Sequence, residues 1–127
     1  MRWTLAVVLV LASGSLARAD GPVEPRHGKY TIKSYGASNR PPLMLGYFVL
    51  EPGGKYRILL PGGREVGAGT YTFDASKKQI VWQTGTYKTD NWMGKFYVEN
   101  DGKTHVVQVK GTTWAYNTPK ERGEEQQ

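Results

Sequence analysis

The chain of 127 residues contains no cysteine. No disulfide can staple the fold, so stability rests on packing and hydrogen bonds. Histidine is nearly missing too, with only His27 and His105. Neither has a second histidine or a carboxylate at ligand spacing on its own strand, which leaves no metal site and no cofactor to expect. A Gly-x-Ser-x-Gly elbow is absent, so nothing in the spacing asks for nucleophilic catalysis. Runs of five like charges are absent as well. The formal charge of +6 is spread along the chain, and no nucleic-acid partner is expected from it. No window carries a helical period.

What is present begins with a leader. Arg2 supplies a positive start, Leu5–Leu11 an apolar run, and Ala17-Arg18-Ala19 a small-x-small cleavage site. Residues 1–19 therefore read as a secretory signal peptide whose apolar run is too short to span a bilayer. No cysteine follows that run, so lipid anchoring is excluded, and the exported protein is expected in a periplasm-like or extracellular space. No membrane span remains after cleavage. Loss of Arg2 and Arg18 lowers the charge to +4. The remaining chain of about 108 residues suits one domain with one core.

The body of the chain repeats one unit. In Gly69–Gly85, Tyr71 and Phe73 alternate with polar residues, Ala75-Ser76-Lys77 breaks the pattern, and Ile80 and Trp82 resume it. That is a β-hairpin. The frame recurs at Gly46–Lys55 and Gly94–Lys103, with Gly first, an aromatic two on, an apolar residue four on, an acid five on and Lys nine on. A partial copy opens at Gly28. Glycine falls at the frames and loops, and Gly53, Gly54 and Gly102 are assigned to tight turns that need positive φ. Residues 20–27 read as an extended lead-in, 28–117 as the domain, and 118–127 as a disordered tail. Eight short strands in meander order indicate an all-β antiparallel domain. Closure into a small up-and-down barrel is preferred over a flattened β-sandwich, because it removes both edges.

The opening Gly28-Lys29-Tyr30, the eight-strand meander and the long loop straight after strand one resemble a shortened lipocalin-type (calycin) barrel. The motif itself is confined to Gly28 and Tyr30. That resemblance implies an apolar small ligand held in the barrel.

Candidate chemistry is sparse. Glu51, Asp74 and Glu99 occupy one place in the repeats, at turn entry. They read as acceptors for backbone N–H groups, or as partners of Lys55, Lys78 and Lys103 across the hairpin. His105 shares a face with Val107 and Val109 and reads as a half-buried structural histidine. Tyr47 or Phe48, Tyr71, Phe73, Trp82, Phe96 and Trp114 read mostly as core. Tyr87 and Trp92 lie in a loop among Lys88, Asp90 and Asn91, where Trp92 reads equally as a plug over the barrel mouth or as a binding residue.

Meander order puts the tight turns at 52–54, 75–77 and 100–102 on one end. The loops 36–44, 61–68 and 85–93 share the other, which gathers Asn39, Arg40, Arg64, Tyr87, Lys88 and Trp92 as the candidate site. Aromatics beside cations suit a small ligand with anionic and apolar parts, or an envelope protein. The leading function is a non-catalytic exported binding domain. A small hydrolase or isomerase with a polar set inside the barrel, and a self-associating structural unit, are the alternatives. Expressed with its own leader in a bacterium, the protein should leave the cytoplasm with Asp20 as its first residue. Mass spectrometry showing an intact Met1 in the mature material would refute the leader.

Overall fold

The alternation at the centre of the chain folds as read, with Tyr71 opposite Trp82 and Phe73 opposite Ile80 across one hairpin. The structure, a computed structural model, describes residues 23–36 and 39–123. The proposed leader and its cleavage site lie outside the described residues. Eight strands follow in order: β1 Gly28–Ser34, β2 Leu43–Glu51, β3 Lys55–Leu59, β4 Glu65–Asp74, β5 Gln79–Trp82, β6 Lys95–Glu99, β7 Thr104–Lys110 and β8 Thr113–Asn117. Each pairs antiparallel with its neighbour in the chain, and β1 closes onto β8, which makes a barrel and not a sandwich. The layout is consistent with a calycin-like barrel. One helical turn, α1 (Thr86–Thr89), interrupts the β5–β6 connection.

The tight turns carry the expected backbone. Gly53, Gly54 and Gly102 have φ of 84°, 73° and 82°. At Gly54 a Cβ would also meet the Tyr71 carbonyl oxygen at 2.7 Å, so the glycine answers both conformation and space. The frame glycines answer space too. A Cβ at Gly46, Gly69 or Gly94 would overlap the carbonyl oxygen of Leu59, Thr84 or Ile80 in the neighbouring segment.

Glycine also falls in the middle of a strand, however. Gly67 and Gly69 sit inside β4, which starts at Glu65 and so takes up part of the loop expected at 61–68. A side chain at Gly69 would strike the Tyr56 ring. β4 is thus bare on its inner face where a ring must lie against it.

Rings fill the interior. Tyr30, Phe48, Leu50, Tyr56, Ile80, Trp82, Val107 and Ala115 are buried in one cluster. Trp82 contacts Phe48 and Tyr56 edge-on and donates its Nε1–H to the Met93 carbonyl at 2.9 Å. Trp114 corrects the core assignment. It pairs with Gln108 and Lys33 on the outer face of the wall, where it leans on Tyr97 at 5.7 Å between centroids. Tyr47 and Tyr116 also face outward, covered by Lys29 and Lys33 at 4.5 and 5.7 Å from the ring centres. Lysine stems lying over outward rings let a barrel wall carry aromatics on both faces.

The turn-entry acids divide. Asp74 accepts from the Ser76 and Lys77 amides at 3.0 and 3.3 Å, as expected of an Asx turn. The Ser76 hydroxyl and those amides hold its carboxyl below its ordinary range. Glu51 takes Arg57 at 2.7 Å as its partner, not Lys55, and Glu65 shares the same guanidinium at 3.2 Å. Beyond β8, residues 118–123 form hydrogen-bonded turns where no structure was expected. The Arg122 amide bonds the Thr118 carbonyl at 3.2 Å, and Pro119 is buried.

The two-faced wall generates a contrast between tryptophans. Trp82→Ala should cost on the order of 3–5 kcal/mol, as a core truncation that also removes a buried hydrogen bond. Trp114→Ala should cost about 1 kcal/mol, because one partly exposed ring contact is lost. Urea unfolding of the two variants measures both, and equal losses would contradict the face assignment.

Candidate functional site

Antiparallel order brings the connections after β1, β3, β5 and β7 to one end of the barrel. Asn39 and Arg40 lie in the first, Arg64 in the second, and Tyr87, Lys88 and Trp92 in the third. The structure therefore gathers all six candidate residues at one end, opposite Gly53 and Gly102. It does not bring all six into one surface. Asn39, Arg40 and Arg64 are exposed on their loops and line neither of the two hollows described below. Tyr87 and Trp92 do, and they stack on each other at 3.7 Å between centroids.

Three irregularities shape this end. The register shifts between Ile32 and Lys33, between Ile58 and Leu59, and between Gln108 and Lys110. All three lie where β1, β3 and β7 run out towards the same rim. A bulge bends its strand and raises its twist, so three of them splay the wall there.

The β5–β6 connection then folds inward across the splayed rim. The Gln83 amide donates to the Thr70 carbonyl at 2.8 Å, and the Met93 amide to the Val109 carbonyl at 2.9 Å. Between these pins, α1 drops Tyr87 into the barrel, where it is 2% exposed. The Tyr87 ring lies parallel to Tyr56 at 5.0 Å, and the Tyr87 amide donates to the Tyr56 hydroxyl at 3.1 Å. That hydroxyl in turn donates to the Thr84 carbonyl at 2.7 Å. Tyr87 is a plug. Its own hydroxyl is buried without a hydrogen bond, and burial pushes its ionisation far above the ordinary tyrosine range.

Outside the plug lies a cavity of about 240 Å³. Its walls are apolar, with Ile32, Leu45, Ile58, Leu60 and Val66, and Trp92 stands at its side. Thr86 and Asp90 are the polar groups of the lining. Leu43, Leu45 and Val66 are 66%, 44% and 48% exposed, so the rim is an apolar surface facing water. Lys88 belongs to an adjoining hollow of about 190 Å³ with Trp82, Asn91 and Trp92. Ile32, Ile58 and Leu60 were missed because strand alternation puts them on a strand face, and Val66 because it falls in the loop expected at 61–68. The available signal was the apolar run Leu43-Met44-Leu45 directly after two prolines, too long for alternation alone.

The opposite end is closed by polar groups. His105 is buried, and its Nδ1 accepts from the Arg26 amide at 3.0 Å. The Asn117 carbonyl oxygen receives Arg26 at 3.4 Å and Arg122 at 2.9 Å, while its amide donates to the Lys29 carbonyl at 2.9 Å. Tyr30 donates to the Arg26 carbonyl at 2.8 Å. These bonds tie the lead-in and the segment after β8 to the barrel floor. Among the described residues, no group of three or more His, Asp or Glu is placed to hold a metal ion, and no helix is long and apolar enough to cross a membrane. Comparison with protein-family models, with curated proteins and with solved structures finds no match in any of the three.

The floor generates a pH dependence. Burial, then the Arg26 and Arg122 guanidinium groups, hold the His105 imidazole down to about 4. The unfolded chain therefore takes up this proton first, at its ordinary value near 6.5. Stability from the neutral ring is complete above that value and is lost as pH falls towards 4, by roughly 2–3 kcal/mol. Melting temperature measured from pH 7 to 4 should fall accordingly, and His105→Gln should flatten the slope. An unchanged slope in that variant would remove His105 as its source.

Proposed function

We propose that this is an exported, non-catalytic barrel that binds a small ligand through its splayed rim, taking an apolar end beside Tyr87 and Trp92. The observation that carries the reading is an interior filled by rings beneath an open apolar hollow. A lipocalin-like barrel would hold its ligand inside, but here Tyr56, Tyr87 and Trp82 occupy that space. Binding moves outward to the rim. A cavity of about 240 Å³ lies below the roughly 300–1,000 Å³ of sites that engulf a drug-sized molecule. It suits the end of a chain and not a whole large ligand.

The polar end of the ligand is anionic in this reading. Arg40, Arg64 and Lys88 surround the same end, and Lys110 lies 5.6 Å from the centre of the Trp92 ring. Asp90 is the single acid of the lining. Export rests on Arg2, the run Leu5–Leu11 and Ala17-Arg18-Ala19. The polar set of His105, Asn117, Arg26 and Tyr30 gives no support to a hydrolase or isomerase, because its bonds hold chain segments together at the far end.

Octanoate and octylammonium provide the test, one chain length with opposite charge. Titration of the folded protein should perturb Trp92 fluorescence and the amide resonances of Leu45 and Val66 with octanoate, and more weakly with the cation. Leu45→Glu with Val66→Glu should weaken octanoate binding by about tenfold or more, since a carboxylate then lines the hollow. Melting temperature should change little, because both side chains are exposed. No saturable response up to the solubility of octanoate would overturn the reading.

A further inference from the structure

The barrel wall is incomplete at one place. β5 and β6 share a single register pair, Gln79 with Lys95. Two hydrogen bonds flank it, from the Ile80 amide to the Gly94 carbonyl at 2.7 Å and from the Phe96 amide to the Lys78 carbonyl at 2.9 Å. Beyond Lys78, which has φ 52°, the chain turns away into the β4–β5 connection. β6 runs on to Glu99. In an antiparallel strand, alternate residues direct both amide groups to the same neighbour. Phe96 addresses β5, so Val98 addresses it too, and among the described residues no strand stands opposite.

The side chains agree with the backbone. The frame places an apolar residue four positions after its glycine. Leu50 is 1% exposed there, whereas Val98, inward-facing and paired with His105, is 40% exposed. Its cover is the missing piece of wall. In that place lies a groove of about 670 Å³, lined by Lys77, Lys78 and Lys95 with Val23, Phe96 and Val98. None of the three lysines takes part in a salt bridge among the described residues.

We propose that this groove is a second binding site, for an extended acidic peptide that adds to the free edge of β6. The peptide backbone pairs with the N–H and C=O of Val98 and the free C=O of Phe96. Alternate side chains then divide as on any strand. One set covers Val98 and Val23, and the other presents carboxylates to Lys77, Lys78 and Lys95. Edge pairing supplies the backbone bonds, and the lysines select against basic and neutral segments. The site is independent of the rim, since it lies towards the tight-turn end and shares no lining residue with the hollow beside Trp92.

The test uses a blocked peptide of alternating Glu and Val, its Lys–Val counterpart, and inorganic polyphosphate. In the folded protein labelled with ¹⁵N, the Glu–Val peptide should shift the Val98 amide and slow its exchange with solvent, leaving Leu45 and Val66 unmoved. Lys77→Glu, Lys78→Glu and Lys95→Glu together should weaken binding by about tenfold or more at low salt. Val98→Pro removes the free edge donor without touching the β6–β7 ladder, and should abolish peptide binding. If that variant fails to fold, slowed exchange of the wild-type Val98 amide under peptide serves in its place. Polyphosphate should leave that exchange unchanged. Equal binding of the Lys–Val peptide, protection of Val98 by polyphosphate, or peptide binding that survives Val98→Pro would each overturn the proposal.

Discussion

The stack of Tyr87 on Tyr56 is the contact on which the rest of this barrel depends. An eight-stranded barrel has an interior just wide enough for side chains to fill or for one small ligand. Here a loop residue takes the place a ligand would need. The Tyr56 hydroxyl fixes it there, accepting the Tyr87 amide and donating to the Thr84 carbonyl. The glycines follow from that placement. Gly69 leaves room for the Tyr56 ring, and Gly85, at φ 88°, lets the chain turn inward beside Ala68. A side chain at either position would push the ring out of the core. The buried Tyr87 hydroxyl, without a partner, shows that ring packing outweighs one unsatisfied polar group.

The two ends of the barrel differ for physical reasons. Where β2, β4 and β7 bulge, at Leu45, Val66 and Val109, the pairing is interrupted, and the apolar side chains of Leu45 and Val66 meet water. At the floor, the Arg26 and Arg122 guanidinium groups, the Asn117 amide and the His105 ring bond one another and the chain segments around them. A barrel closed at one end by hydrogen bonds and at the other by a folded loop keeps a rigid girth. The seam between β5 and β6 is the exception. The long connection and the Trp82–Met93 bond close its upper half. Among the described residues, nothing comparable closes the lower half beside Val98.

Much of this was legible in the sequence. Alternation at Tyr71–Phe73 and Ile80–Trp82, turn residues at Gly53, Gly54 and Gly102, and a fourfold frame led to eight antiparallel strands in the observed order. Alternation names two faces without saying which is inside, and Trp114 shows the consequence. A ring covered by lysine stems looks the same in sequence as one in the core. Gly67 reads as a loop residue and Gly69 as the opening of a frame, because the groups that need their space, Ile58 and Thr86 for one and the Tyr56 ring for the other, come from distant parts of the chain. The rim hollow was hidden for a related reason. Ile58 reads as a strand-face position and Val66 as part of a loop, and the bulge that leaves Val66 unpaired in β4 leaves no mark in composition. Meander order alone set Tyr87 and Trp92 at the correct end, but the reach of Arg40 and Arg64 depends on loop paths it does not encode.

The Asn117 amide, with one carbonyl oxygen shared by Arg26 and Arg122, fixes more than the floor. It brings the first and last described segments of the chain to one pole. A group attached at residue 23 or at residue 123 therefore sits towards the pole opposite the hollow. A dye, an affinity tag or a surface linker fused at either side would hold the molecule by its base with the rim pointing away. Immobilised in this way, the barrel offers its apolar hollow to whatever passes in solution, in a single orientation.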